Sequence, residues 1–204
     1  MPTDLTQLAA LGGLIYVLVF VVVALDALVP VMPSESIVVT AAVLAASGAV
    51  SLPLVLLAAT VGALGGDAAS FLLGRRSGRR RRAAGTAGRS TGRTAKAVRW
   101  AGQQLDAHGP GVLIVARFIP GGRTAATFTA GFTGMGARRF GATAAAGALL
   151  WAGQATIIGF AGGRAFEGNL VLGITLGVGS GIAVGLLVEV ARHRFTGRAA
   201  ARFA

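Results

Sequence analysis

Two arginines and a proline stand close together in a part of the chain that otherwise reads as membrane-buried: Arg117, Pro120 and Arg123. Apolar residues precede them from 112 to 116, and small, weakly polar residues follow from 124 to 131. A charged side chain at bilayer depth costs about 2.5–3.5 kcal/mol on insertion scales and usually serves a function there. A guanidinium offers a planar fork of donors that matches a phosphate. The pattern predicts that Arg117 and Arg123 bind an anionic group.

The composition places these residues in lipid. Of the 204 residues, 54% are hydrophobic and only 13% are charged, and the mean hydropathy is +0.72. These values indicate an integral membrane protein, which we interpret as one domain over residues 1–204. The formal net charge of +12 suits either nucleic acid or an anionic membrane face, and the apolar segments favour the membrane. We therefore expect no nucleic-acid partner.

Long apolar stretches predict an all-α, polytopic fold. A helix of about 20 residues crosses the hydrocarbon core, and four stretches are long enough to do so. They lie near 8–29, 52–74, 140–162 and 169–191.

Two further apolar stretches, at about 30–49 and 110–135, are interrupted by prolines and charges. Broken backbone at membrane depth is tolerated only where it is buried in protein or lines a cavity. We expect both stretches to be re-entrant helical hairpins, with their breaks at Pro33 and Pro120. Ordinary kinked spans are the alternative.

The distribution of cations favours re-entrance for 110–135. A basic linker at about 75–108 holds ten of the nineteen Lys and Arg residues, so the positive-inside rule places it in the cytoplasm. If 110–135 re-enters, sixteen cations lie inside and one outside; if it crosses, eleven lie inside and six outside. We therefore expect a multi-pass protein of the cytoplasmic membrane whose linker and C-terminus are cytoplasmic. The linker should contact anionic lipid headgroups.

A weak internal repeat relates the two interrupted stretches. Residues 33–40 parallel residues 120–127, with threonine seven positions after proline in each. Farther along, glycines recur twelve residues apart in both copies, at 62 and 74 and at 147 and 159. If both hairpins re-enter, the copies are opposed in the membrane, which is an inverted repeat of the kind that many secondary transporters use. Chance similarity in an Ala/Gly/Val-rich sequence is the alternative.

Three carboxylates accompany the arginines at membrane depth: Asp26, Glu35 and Asp67. Carboxylates that converge on the arginines neutralise them, and removal from water favours the neutral form of a carboxyl, as a proton carrier requires. We predict that these residues couple transport to an ion. Alternatively they are buried salt bridges that fix the hairpins, and Asp67 in particular is close in sequence to Arg75 and Arg76.

Several short motifs resemble the DedA family, also called the SNARE-associated or VTT-domain family. They are DALVPVMPSE at 26–35, GD at 66–67 with GR at 74–75, His108-Gly109, and RFIPGGR at 117–123 followed by Ala130-Gly131 and Met135. The resemblance covers about residues 20–140.

The resemblance implies a polytopic membrane protein with two opposed re-entrant hairpins, linked to translocation of undecaprenyl phosphate or phospholipids and to a proton or sodium gradient. By motif, Asp26 and Glu35 match the family's acidic pair, and Arg117 and Arg123 match its arginine pair. The chain departs from the family at Phe71, where a tyrosine is common after the GD motif, so a role for that hydroxyl does not transfer.

Together, residues and resemblance predict an ion-coupled transporter of a phosphate-bearing lipid, without enzymatic activity, cofactor or metal. The two histidines, His108 and His193, are too isolated to suggest a metal site. Two other classes stay open: a membrane-embedded lipid-phosphate enzyme, and a scaffold for membrane assembly. Glycines at every fourth position from 173 to 185 suit close helix packing, within the bundle or in a homodimer.

Overall fold

The computed structural model describes residues 3–29, 34–84, 102–103, 105, 111–118 and 121–165, and the secondary structure of these residues is helical without strands. The helices are α1 (Thr3–Asp26), α2 (Ser34–Ala46), α3 (Leu52–Ala83), α4 (Gly111–Val115) with a 3-10 turn at Ala116–Phe118, α5 (Gly122–Thr133) and α6 (Ala137–Ala165). The all-α prediction is confirmed for this part of the chain. Outside it lie Pro33, Pro120, most of the basic linker and the predicted span 169–191.

Two of the described helices, α3 and α6, are long enough to cross a membrane, and each contains an apolar stretch of 18 residues with a mean hydropathy of 1.6 and 1.4, respectively. Pro53 lies in the first turn of α3, where its missing N–H costs nothing. With 32 residues, α3 is about 48 Å long, whereas the hydrocarbon core is about 30 Å thick. The excess length continues the helix into the predicted linker as far as Ala83, and the arginines between 75 and 82 lie on it.

Large apolar side chains cover the outer faces of the helices. In water such a surface would drive aggregation, whereas lipid tails solvate it. Together with the two long apolar helices, it supports a membrane protein. The exposed large residues are Leu14, Val17, Leu18, Phe20, Val21 and Leu25 on α1, Leu54, Leu57, Val61, Leu72 and Leu73 on α3, and Leu149, Leu150, Ile157 and Ile158 on α6.

The first half of α3 packs on α1 through glycines. A Cβ on Gly62 would lie 2.6 Å from the Phe20 carbonyl oxygen, and one on Gly66 would lie 2.4 Å from that of Ala24. The contacts follow the same order along both helices, so α1 and α3 run parallel. α1 ends at Asp26, beside the middle of α3.

The second half of α3 packs on α5 in the same manner. Gly74 and Gly78 meet the backbone of Phe128 and Phe132, and Gly131 of α5 meets the carbonyl of Phe71. These helices also run parallel, so α5 begins beside the middle of α3, where α1 ends.

α6 repeats this arrangement with the remaining helices. Gly147 packs against the side chain of Arg117, which follows α4, and Gly159 packs against the backbone of Val39 in α2. In the internal repeat these glycines match Gly62 and Gly74. Gly62 therefore packs on α1 and Gly74 on α5, whereas Gly147 packs on the turn after α4 and Gly159 on α2. All four glycines are thus positions where α3 or α6 is closely approached by another element.

The first helical pair has different bounds from the prediction. Within the described part of 30–49, residues 34–49, there is one helix, α2, and its 13 residues span about 20 Å, less than the hydrocarbon thickness. α1, predicted as a span over 8–29, ends at Asp26, and Ser34 at the start of α2 donates a hydrogen bond to that residue. We refer to α1 and α2 as the first hairpin, and to α4, the 3-10 turn and α5 as the second hairpin.

The adjacent glycines 65 and 66 provide a matched test of the packing between α1 and α3. We expect Gly66→Ala to destabilise the protein by about 1–3 kcal/mol, because overpacking against backbone cannot be relieved by a side-chain movement. Gly65→Ala should be neutral or slightly stabilising, since nothing lies within 4 Å of its Cβ and alanine favours helix. Thermal unfolding in detergent measures both. Equal melting temperatures for the two variants would contradict this packing.

Candidate functional site

The tips of the two hairpins meet at Asp67, halfway along α3. This carboxylate is fully buried. It accepts a hydrogen bond from Nη2 of Arg117 on one oxygen and a hydrogen bond of 2.8 Å from Nε of Arg123 on the other. The two predicted arginines therefore converge on one carboxylate, which lies away from the basic end of α3.

The position of Arg123 depends on how α5 begins. Gly121 precedes the helix with φ = +70°, a conformation that glycine adopts without strain, and Arg123 lies in the first turn. Its Nη2 donates to the Ala63 carbonyl oxygen at 3.0 Å, and its Nη1 lies 3.6 Å from Asp26 Oδ2. One guanidinium thus joins α3 to the tip of the first hairpin.

Trp151 adds a contact to the same guanidinium from α6, with its ring centre 6.0 Å from the central carbon of Arg123. This distance is within the range of a cation–π interaction.

Arg117 lies in the 3-10 turn after α4, and its side chain is 3% exposed. Besides Asp67, its Nη2 reaches the Ala144 carbonyl oxygen at 3.3 Å. The absence of a side chain at Gly147 leaves room for it, because a Cβ there would lie 2.9 Å from Nε. Its Nη1 is buried and has no hydrogen-bond partner among the residues that the structure describes. A buried donor left unpaired is costly, so Arg117 has capacity for one more acceptor.

Hydroxyl groups connect the hairpin tips. Ser34 donates to Asp26 Oδ2 at 2.9 Å, and Thr124 of α5 donates to the Ala27 carbonyl oxygen at 2.9 Å. These two bonds tie the first turn of each second arm to the end of α1. The tips therefore form one polar joint.

A second hydroxyl contact lies one turn farther along α5, where the Thr127 and Ser70 hydroxyl oxygens are 3.0 Å apart. Phe71, the residue after Ser70, stacks on Phe140 of α6 with ring centres 4.1 Å apart. At this position the chain has an apolar contact where the family resemblance would place a tyrosine hydroxyl.

Glu35 occupies the first turn of α2. It is half-buried and close enough to Asp26 for the two carboxylates to repel each other, and it makes no ion pair with the residues that the structure describes. Of the three predicted coupling residues, two therefore contact the arginines directly, and Glu35 lies beside them. The predicted breaks at Pro33 and Pro120 fall just before α2 and α5, outside the described residues.

The sequence does not predict five further residues of the joint. A hydroxyl or an indole in an apolar segment carries no charge, so the sequence gives no sign of which helix it contacts. The five residues are Ser34, Ser70, Thr124, Thr127 and Trp151.

The joint is electrically balanced among its paired groups. Arg117 and Arg123 carry two positive charges, and Asp26 and Asp67 carry two negative ones. An isolated ion at this depth would be expensive, and mutual pairing offsets that desolvation. Within the described residues there is also no group of three or more His, Cys, Asp or Glu that could hold a metal ion. The arrangement places guanidinium forks, a group that suits oxyanions, directly beside carboxylates.

The fold and the joint define a class: a helical membrane protein in which two hairpins bring arginines and carboxylates together in its interior. The family model for the VTT domain matches residues 32–161. The protein DedA of Escherichia coli strain K12 is 39% identical to this chain over 107 residues, and DedA of E. coli O157:H7 gives the same values. No solved structure matches the chain significantly.

The chain belongs to the DedA family of VTT-domain membrane proteins. The matched stretch covers 50% of this chain and 46% of the E. coli protein, so the chain spans about half the length of the curated relatives it matches. Asp67, Arg117 and Arg123 lie within the matched domain, and Asp26 precedes it.

The buried position of Asp67 predicts a large effect on stability. Asp67→Asn leaves two guanidiniums without their shared counter-charge, which should cost about 3–5 kcal/mol. Asp26→Asn is the matched control. It should cost clearly less, because Asp26 is 20% exposed and lies 3.6 Å from its arginine, so a weaker and less buried ion pair is lost. Melting temperatures in detergent compare the two. Similar losses in both variants would contradict the central place of Asp67.

Proposed function

We propose that this protein is an ion-gradient-coupled transporter that moves a phosphate-bearing lipid, undecaprenyl phosphate or a phospholipid, across the cytoplasmic membrane. The observation that carries the proposal is the pair of buried arginines at the hairpin joint. Arg117 has a buried donor, Nη1, that no described part of the chain pairs, and guanidinium forks are well suited to the oxygens of a phosphate. Lipid is the source of phosphate that a site at this depth meets.

The coupling ion is assigned to the carboxylates. Asp26 and Asp67 contact the arginines, and Glu35 lies beside Asp26 at the tip of the first hairpin. Uptake of a proton or a sodium ion by this group would change the balance of charge that the arginines experience. A gradient of either ion could then drive the binding and release of the lipid.

The arrangement of the helices in the membrane is part of the proposal. Both hairpins turn beside the middle of α3, where Asp26 and Arg123 meet. This geometry supports hairpins that re-enter from opposite sides, with α3, α6 and the stretch 169–191 as full spans. The site would then lie near the bilayer midplane, where inverted-repeat transporters bind their substrates.

The proposed orientation of the protein in the membrane is based on where its cations lie. The arginines at the end of α3, from Arg75 to Arg82, are mostly exposed, and each cation near an anionic membrane surface contributes about 1 kcal/mol of attraction. We propose that this end faces the cytoplasm and contacts anionic headgroups, and that the C-terminus is on the same side.

A scaffold is the second candidate, because the arginines already have carboxylate partners in this structure. Such a protein would need the joint only as a structural tie between hairpins. A membrane-embedded lipid-phosphate enzyme is less well supported, since Asp26 and Asp67 are paired with arginines and the contacts described at the joint present no activated nucleophile.

Arginine-to-lysine substitutions separate transport from scaffolding. Lysine keeps the positive charge near Asp67 but loses the planar fork, so we expect Arg117→Lys and Arg123→Lys to lose at least about 90% of lipid transport, equivalent to about 1.4 kcal/mol in rate, while remaining folded. Reconstituted vesicles with an externally labelled lipid phosphate provide the measurement. Arg138→Lys is the matched control, because Arg138 is exposed at the start of α6. Near-normal transport in both site variants would favour the scaffold.

A further inference from the structure

The charges at the hairpin joint limit how an anionic lipid can bind. Two arginines and two aspartates sum to zero before any ligand arrives. A phosphodiester brings one negative charge, and a phosphomonoester brings about 1.5–2. An uncompensated charge in a buried site is expensive. A lipid phosphate that binds here therefore requires a positive charge to enter with it.

The contacts indicate which carboxylate a bound phosphate would displace from the arginines. One oxygen of Asp67 accepts a hydrogen bond from Nη2 of Arg117, and the other accepts one from Nε of Arg123. The two oxygens therefore bridge the arginines in the way that two oxygens of a phosphate would. Asp26 touches only Arg123, at 3.6 Å. A phosphate that engages both guanidiniums must compete with Asp67.

We infer that Asp67 is an internal anion that a lipid phosphate displaces from Arg117 and Arg123, and that Asp67 takes up one proton when it is displaced. The inference rests on the proposed function and adds an order of events to it. The carboxylate loses two guanidinium partners and gains a proton from the aqueous phase, while the phosphate gains the guanidiniums. For a phosphodiester the net charge of the joint is the same before and after.

The groups around Asp67 leave few other candidates for this proton. The second hairpin contributes the two arginines, α1 contributes Asp26 through Arg123, and α2 contributes Glu35 beside Asp26. From α6 come the Ala144 carbonyl and the Trp151 ring, neither of which titrates. Among the residues that the structure describes, Asp26 and Glu35 are the competitors, and both are more exposed than Asp67.

The pH dependence of binding tests the exchange. The full chain in a zwitterionic detergent is titrated with dihexanoyl phosphatidylglycerol, a diester lipid, by calorimetry at a series of pH values around neutrality. Uptake of one proton per lipid requires the dissociation constant to rise about tenfold for each unit of pH. In Asp67→Asn the joint carries one excess positive charge, so the same lipid should bind at least as tightly and with no dependence on pH.

Controls separate this inference from the function on which it rests. Asp26→Asn should keep the tenfold dependence, and its loss there would assign the proton to Asp26 and overturn the inference. Saturable binding to the wild type without pH dependence would also overturn it while leaving the lipid-phosphate site intact. Glu35→Gln should also keep the tenfold dependence, and its loss there would assign the proton to Glu35 and overturn the inference. The wild type, Asp26→Asn and Glu35→Gln together decide the question even if Asp67→Asn fails to fold.

Two further results bear on the proposed function itself. Inorganic phosphate should bind at least tenfold more weakly than the lipid, and equal affinity would overturn the assignment to lipid. Unchanged lipid binding by Arg123→Lys would overturn both the site and the exchange.

Discussion

The burial of Asp67 between two guanidiniums is the interaction on which the rest of the structure depends. A carboxylate in the middle of a long apolar helix is unstable unless positive groups reach it, and α3 supplies none at that depth. Arg117 and Arg123 come from the turn of the second hairpin. The hairpin must therefore end at the middle of α3, and Arg123 in turn sets the position of Asp26 at the tip of the first hairpin.

Glycines make this meeting point possible. Polar side chains reach one another only if the helices that carry them approach closely, and Gly66 and Gly74 lie on either side of Asp67 in α3. Gly66 admits α1 and Gly74 admits α5 to backbone contact. On α6, Gly147 admits Arg117 and Gly159 admits α2. Small residues at helix contacts are typical of membrane proteins, and here they also determine where the charges meet.

Sequence reasoning predicted much of the site because charge in an apolar segment is a strong signal. Charge in an apolar segment predicts Arg117, Arg123 and Asp26 as site residues, and the structure brings all three together with Asp67. The partner of Asp67 was harder to predict, since sequence proximity suggested Arg75 and Arg76, whereas the actual partners are fifty and fifty-six residues away. The bounds of the first hairpin differed because hydropathy does not reveal that α1 stops beside the middle of α3. Hydroxyls such as Thr124 give no signal in sequence, since their role depends on which helix lies opposite.

The most direct test of the central claim compares one lipid with and without its phosphate. In vesicles that contain the purified full chain, the protein-dependent rate of translocation is measured for undecaprenyl phosphate and for undecaprenol, with the rate in protein-free vesicles subtracted. If the arginine pair recognises phosphate, the phosphate-bearing lipid moves and the alcohol stays at the background rate. Equal protein-dependent rates for the two lipids would contradict the account, because the arginines at Asp67 would then contribute nothing to substrate recognition.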